Sequence, residues 1–138
     1  MKDDFGVENV RIDLTLAECR ALTGPALRAF FKIAMRWGLG EAEQAAILGN
    51  PSPATLHFWQ ANEANAVDEP TLIRISNVLG IYKALNTLFS SPEQADSWMR
   101  STNRASLFKG RSAIELILEG RLSDLRAVRR YLDAQMVC

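Results

Sequence analysis

A single histidine and two cysteines in 138 residues leave this chain poor in the groups that build nucleophilic, metal and redox sites. Cys19 and Cys138 are far apart and match no disulfide framework or metal-ligand spacing. They read as free thiols, which fits a reducing cytoplasm. No apolar run approaches the ~18 residues of a membrane span. The start, Met1-Lys2-Asp3-Asp4-Phe5, is acidic and lacks the apolar stretch of a signal peptide. An excess of one charge is missing too. Sixteen Lys and Arg balance sixteen Asp and Glu, which excludes a uniformly basic chain held to nucleic acid by overall charge. Neither a G-x-x-x-x-G-K-[ST] loop nor an H-E-x-x-H pair occurs, and Gly38-Leu39-Gly40 alone is too short to cradle phosphate. The expectation is a cytoplasmic chain that is no enzyme, has no membrane partner and needs neither cofactor nor metal.

What is present is helix grammar, almost without interruption. Hydrophobic residues make up 48% and charged residues 23%, the balance of a globular chain that buries its own core. Thr15-Leu16-Ala17-Glu18 has capping-box spacing. It predicts a short helix over 16–22, stopped by Thr23-Gly24-Pro25, with Pro25 opening a second helix. In that second helix Leu27, Phe30, Phe31 and Ala34 form one apolar stripe, and Arg28, Lys32 and Arg36 lie opposite. Gly38 and Gly40 end it. Asn50-Pro51-Ser52-Pro53 is a tight turn with Ser52 as N-cap, and 62–67 is a loop. Asp68-Glu69-Pro70 opens a long helix facing inward with Leu72, Ile75, Val78, Leu79, Tyr82, Leu85 and Phe89, which Gly80 ends or kinks. Ser91 to Gln94 and Ser112 to Glu115 repeat the capping box on either side of a 101–110 loop. Ser123 or Asp124 caps a last helix with Leu125, Val128 and Leu132 inside. Val10, Ile12, Leu14 and Leu16 make the one strand-like alternation. The fold class expected is all-α, with eight or so short helices. Trp37, Trp59 and Trp98 fall at core spacing.

Two stretches carry functional signal. Residues 44–59, Gln-Ala-Ala-Ile-Leu-Gly-Asn-Pro-Ser-Pro-Ala-Thr-Leu-His-Phe-Trp, read as a helix-turn-helix. Ala45 lets two helices cross closely, Gly49 supplies the turn's positive φ, and Leu56 and Trp59 anchor the second helix. The turn is a residue longer than the commonest form. In a DNA major groove the second helix would present Ser52, Ala54, Thr55, His57, Phe58 and Gln60. Gln60 suits adenine and Thr55 a thymine methyl, but arginine, the commonest guanine reader, is absent. His57 reads as a surface or groove residue rather than a ligand or base. Residues 41–91 hold five acidic and two basic side chains, a net −3, so phosphate contacts fall to Arg28, Lys32 and Arg36 unless that row is a solvated face. The second stretch is an arginine-rich run: Arg100, Arg104, Lys109, Arg111, Arg121, Arg126, Arg129 and Arg130. Arg126, Arg129 and Arg130 at i, i+3 and i+4 share one helix face. Guanidinium forks suit carboxylates and phosphates, so this face fits an acidic protein cleft or a nucleotide site, or else is simply solvated.

Leu79-Gly-Ile-Tyr-Lys-Ala-Leu-Asn-Thr-Leu-Phe89, Gln94-Ala-Asp-Ser-Trp98, Phe108-Lys-Gly-Arg-Ser-Ala-Ile-Glu-Leu-Ile117 and Gly120-Arg-Leu-Ser-Asp-Leu-Arg-Ala-Val-Arg-Arg-Tyr-Leu-Asp-Ala134 together resemble the MbcA/ParS/Xre antitoxins. The resemblance covers about 25–135. It departs at Ala113, where many relatives have proline, and in the end Gln135-Met136-Val137-Cys138, where many have a glycine-rich or basic tail. It implies an N-terminal segment (1–24), an Xre-like helix-turn-helix domain (25–90) and a toxin-binding domain (91–138). It also implies a cognate toxin, commonly a RES-domain enzyme that degrades NAD, and repression of the operon at operator DNA. On that basis the DNA contacts are Ser52, Thr55, His57, Gln60, Arg28, Lys32 and Arg36. The toxin contacts are Asn103, Lys109, Arg111, Arg121, Arg126, Arg129 and Arg130. A homodimer is expected, because one short acidic recognition helix makes too few contacts to select an operator. A stand-alone helix-turn-helix regulator or partition-type DNA-binding protein is the alternative.

Overall fold

The computed structural model describes residues 16–61 and 67–136, and they form an all-α fold. The Thr15 cap, the 10–14 alternation, most of the 62–67 loop and Cys138 lie outside them. Seven helices are described: α1 (Leu16–Arg36), α2 (Glu41–Ile47), α3 (Pro53–Gln60), α4 (Glu69–Leu88), α5 (Pro92–Arg100), α6 (Ala113–Ile117) and α7 (Leu122–Gln135). Two are not short, with α1 running 21 residues and α4 running 20.

The expected break at Thr23-Gly24-Pro25 does not occur, because α1 continues through Pro25. A proline in a helix interior costs about 3 kcal/mol through one lost hydrogen bond and a ring clash. Leu27, Phe30 and Ile33, all at most 2% exposed, lie on the two turns that follow. Each such burial contributes about 1.5–3 kcal/mol, so packing outweighs the local defect. Gly80 likewise does not end α4, since the helix passes through it and residues on both sides are buried. α4 is the central helix: it packs on α1 along one side and on α7 along the other. Buried side chains from α1 to α7 form one continuous core that includes Trp37 and Trp59, with Trp98 half-buried against it.

Most of the local signals act where their chemistry predicts. Ser52 accepts from the Thr55 N–H at 3.1 Å and Pro53 takes the first turn of α3. Ser91 caps α5 through the Gln94 N–H, but the Gln94 side chain accepts from Ser90 Oγ at 3.2 Å, so only half of that box closes. The box at Ser112 is complete, with Ser112 Oγ accepting from the Glu115 N–H at 3.1 Å and Glu115 accepting from the Ser112 N–H at 2.8 Å. α7 starts earlier than expected: its N-cap is Arg121, and Asp124 sits in the first turn, where its carboxylate meets Arg121 Nε at 2.9 Å. That ion pair and the positive helix end hold Asp124 without a capping bond.

Ser112 is only 5% exposed, so its replacement exposes the cost of an uncapped, water-poor helix start. Ser112→Ala is expected to lower stability by about 1–2 kcal/mol, measured as a shift in urea midpoint at unchanged slope. A change below ~0.3 kcal/mol would show that α6, five residues long, is held by packing alone.

Candidate functional site

α2 and α3 are joined by residues 48–52. The turn closes through Asn50 N–H donating to the Ala45 carbonyl at 2.7 Å and Leu48 N–H donating to that of Gln44 at 3.0 Å. Gly49 at φ +94° and Asn50 at φ +63° take the left-handed conformations this path requires, which glycine and asparagine tolerate best. Leu56 and Trp59 are buried, with α1 behind them. Of the outward residues, Ser52, Ala54, His57, Phe58 and Gln60 are exposed and Thr55 is half-buried. Several are tied down within the pair. His57 Nε2 lies 3.0 and 3.1 Å from the two Glu41 carboxylate oxygens, which can only accept, so Nε2 carries the proton. Gln60 donates to Gln44 Oε1 at 3.0 Å, and Ser52 Oγ donates to Thr55 Oγ1 at 2.9 Å. Phe58, 48% exposed, and Ala54 are left as the unengaged tip.

The cation row on α1 is split by its partners. Arg36 meets Asp96 of α5 at 2.9 Å. Its pKa is raised further above the arginine range by the electrostatics of Tyr82 first and of Asp96 second. Arg28 and Lys32 are exposed and have no ion pair among the described residues. Lys32 lines an open groove of about 680 Å³ with Ala29, Ile33, Met35, Arg36 and Tyr82.

The second candidate region is the α5–α7 end. The 101–112 connection is closed by Asn103, whose N–H donates to the Arg111 carbonyl, whose carbonyl accepts from Gly110 and whose Oδ1 accepts from the Ala105 N–H at 2.9 Å. Lys109 at φ +52° and Gly110 at φ +83° turn the chain back. This fold of the loop drives Phe108 fully into the core. There its ring meets Trp98 edge-on at 5.7 Å and Tyr131 edge-on at 5.2 Å, while Trp98 and Tyr131 stack with centroids 6.3 Å apart. Three aromatics thus lock α5, the loop and α7 together.

The arginine run divides by function of position. Arg100 donates to the Trp37 carbonyl at 3.0 and 2.8 Å and to that of Gly38 at 3.1 Å, closing the C-terminal end of α1. Arg111 pairs with Glu119 at 3.0 Å and Arg121 with Asp124. Arg129, 26% exposed at its side chain, lies across α4. A Cβ at Gly80 would stand 2.5 Å from Arg129 Cζ and 2.9 Å from its Cδ, so that glycine is what admits the guanidinium. Arg104, Lys109, Arg126 and Arg130 are exposed and have no ion pair among the described residues. Arg126 and Arg130 remain together on α7, one turn apart, and Arg130 adjoins half-buried Tyr131. No group of three or more His, Cys, Asp or Glu is placed to hold a metal among the described residues, and no described helix is long and apolar enough to cross a membrane.

Sequence spacing placed Arg100 only within the arginine-rich run and did not single out Arg74. Arg100 and Arg74 are structural cations, and Arg74 donates to the carbonyls of Ile47 and Gly120. A usable signal was present for Arg74, a cation set between inward-facing Leu72 and Ile75, where solvent alone cannot satisfy five donors.

Residues 84–135 match the family model for the antitoxin Xre/MbcA/ParS C-terminal toxin-binding domain. The match begins within α4 and spans α5 to α7. A curated protein of Sinorhizobium fredii (strain NBRC 101917 / NGR234), described as uncharacterized protein y4oB, is 42% identical over 109 residues, 79% of this chain and 82% of its own length. No solved structure matches.

Proposed function

Since this chain belongs to the Xre/MbcA/ParS antitoxin family, we propose that it neutralises a cognate RES-type, NAD-degrading toxin through α7 and represses its own operon through α2 and α3. The observation that carries the first half is the toxin-binding-domain match over 84–135, taken with Arg126 and Arg130 on the exposed side of α7, which have no ion pair among the described residues. A toxin that cleaves NAD must admit a nucleotide diphosphate. Two guanidinium forks one turn apart can seat at that entrance or pair with carboxylates on its rim, excluding substrate with no chemical step. Arg111, Arg121 and Arg129 already have partners within the chain and hold this surface in shape. Asn103 does the same for the loop that carries Lys109. Co-expression with the neighbouring gene product, followed by pull-down and growth rescue, tests the assignment. Failure to bind or rescue leaves the regulator reading instead.

The DNA half rests on the turn geometry at Gly49 and Asn50 and on the exposed edge of α3. The protein acts as a homodimer, so that two α3 helices share an operator. Because 41–91 carries a net −3, the free protein is expected to bind operator weakly and the toxin complex more tightly. Arg28 and Lys32 are the phosphate contacts, since Arg36 is held by Asp96. Changing both to alanine is expected to weaken binding to every sequence alike and to reduce the salt slope by about two. Thr55→Val or Gln60→Ala should instead change which sequence is preferred. An unchanged salt slope in the double variant would make that row a solvated face. Light scattering showing a monomer at tens of micromolar, the order of concentration at which a weak dimer still forms, would count against the dimer.

A further inference from the structure

The guanidinium of Arg74 stands at the meeting point of the two regions described above. Its Nη1 donates to the carbonyl of Ile47, the last residue of α2, at 3.1 Å, and to that of Gly120, the residue before the α7 cap, at 2.9 Å. The carbonyl of Ile47, at the end of α2, has no partner within its own helix and that of Gly120 lies outside any helix, so each gains one from this shared donor. Two glycines make the junction close. A Cβ at Gly49 would come within 3.2 Å of Arg74 Nε, and a Cβ at Gly120 within 3.4 Å of the Ala46 carbonyl oxygen. Gly49 at φ +94° and Gly120 at φ +86° also hold conformations that side chains disfavour. The end of α2, the α2–α3 turn and the start of α7 therefore meet on one planar, rigid group carried by the central helix.

We propose that Arg74 is a positioning residue that couples the toxin-facing helix α7 to the DNA-facing pair α2–α3. Occupancy of α7 moves or stiffens Gly120, the guanidinium carries that change to Ile47 and Gly49, and the affinity of α3 for DNA changes. By linkage, DNA changes the affinity for toxin by the same factor. This rests on the function proposed above.

The test measures operator affinity with and without bound toxin, for the wild-type chain and for Arg74→Gln and Arg74→Lys. In the wild type the ratio of the two affinities is expected to be about fivefold or more, the lower range of allosteric coupling. In Arg74→Gln it should fall toward one while toxin and operator each still bind. Arg74→Lys, which keeps a donor but not the fork, should fall between. A wild-type ratio of one, or a ratio that Arg74→Gln leaves intact, overturns the proposal. Amide hydrogen exchange on the free chain is a second arm that needs no partner. Arg74→Gln should speed exchange about fivefold, the size of one net hydrogen bond, at both 49–52 and 121–125, with α5 unchanged. Acceleration at one end only, or at neither, overturns the junction. Should Arg74→Gln speed every amide alike, Arg74→Lys is the variant read. If the wild type binds neither toxin nor operator, the functional reading fails and the exchange arm decides the junction by itself.

Discussion

Replacing Phe108 with alanine is expected to lower the melting temperature by roughly 10–20 °C. Removal of a fully buried phenylalanine costs about 3–5 kcal/mol through lost burial and an unfilled cavity. Phe108 is 0% exposed and meets both Trp98 and Tyr131 edge-on, so two ring contacts are lost with it. The ring is also what makes the 101–112 connection part of the core rather than a surface loop. Its loss should loosen α5 and α7 from each other and abolish toxin binding as a consequence of stability. Thermal melts followed by circular dichroism, with tryptophan emission read in parallel, measure this. A drop of only one or two degrees would mean that α4 alone holds α7 in place.

The second large effect is on binding and leaves the fold intact. Arg126→Ala together with Arg130→Ala is expected to weaken the toxin complex ~30-fold or more. Truncating a desolvated charged contact typically costs about 2–5 kcal/mol, whereas charges at a wet rim cost far less. Both side chains are exposed and have no ion pair among the described residues, so the melting temperature should stay nearly constant. Arg129→Ala is the contrast, because it removes a side chain packed on Gly80 and is expected to change stability as well. Isothermal titration on each variant, beside its melt, separates the two outcomes. If the double variant keeps its affinity and its fold, α7 is not the inhibitory surface. Arg104 and Lys109 on the 101–112 connection would then be the residues to change.

The helices and their inward faces were legible because they depend on neighbours three or four residues away. Leu125, Val128 and Leu132 needed only a 3.6-residue period, and Ser52, Ser91 and Ser112 needed only a side-chain oxygen three residues before a free N–H. The positive φ at Gly49 was readable for the same reason. Pro25 misled because its local cost is real and is outweighed by burial elsewhere along α1. Gly80 misled in a similar way. Its missing side chain serves Arg129, 49 positions further along the sequence, and not a stop in its own helix.

By itself the sequence determined the all-α class, the capped helix starts, the buried stripes and the family, each of which is a pattern of nearby residues or of residue order. Only the tertiary structure decided which cations are available. Arg100 reaches Trp37 across 63 residues and Arg74 reaches Gly120 across 46. An arginine's five donors take whatever carbonyl or carboxylate folding brings within about 3 Å, and sequence spacing carries no trace of that distance. Eight basic residues after position 92 look equivalent in the sequence. In the folded chain, half of the run braces helix ends or pairs with nearby carboxylates, while Arg126 and Arg130, on one face of α7, have no ion pair among the described residues.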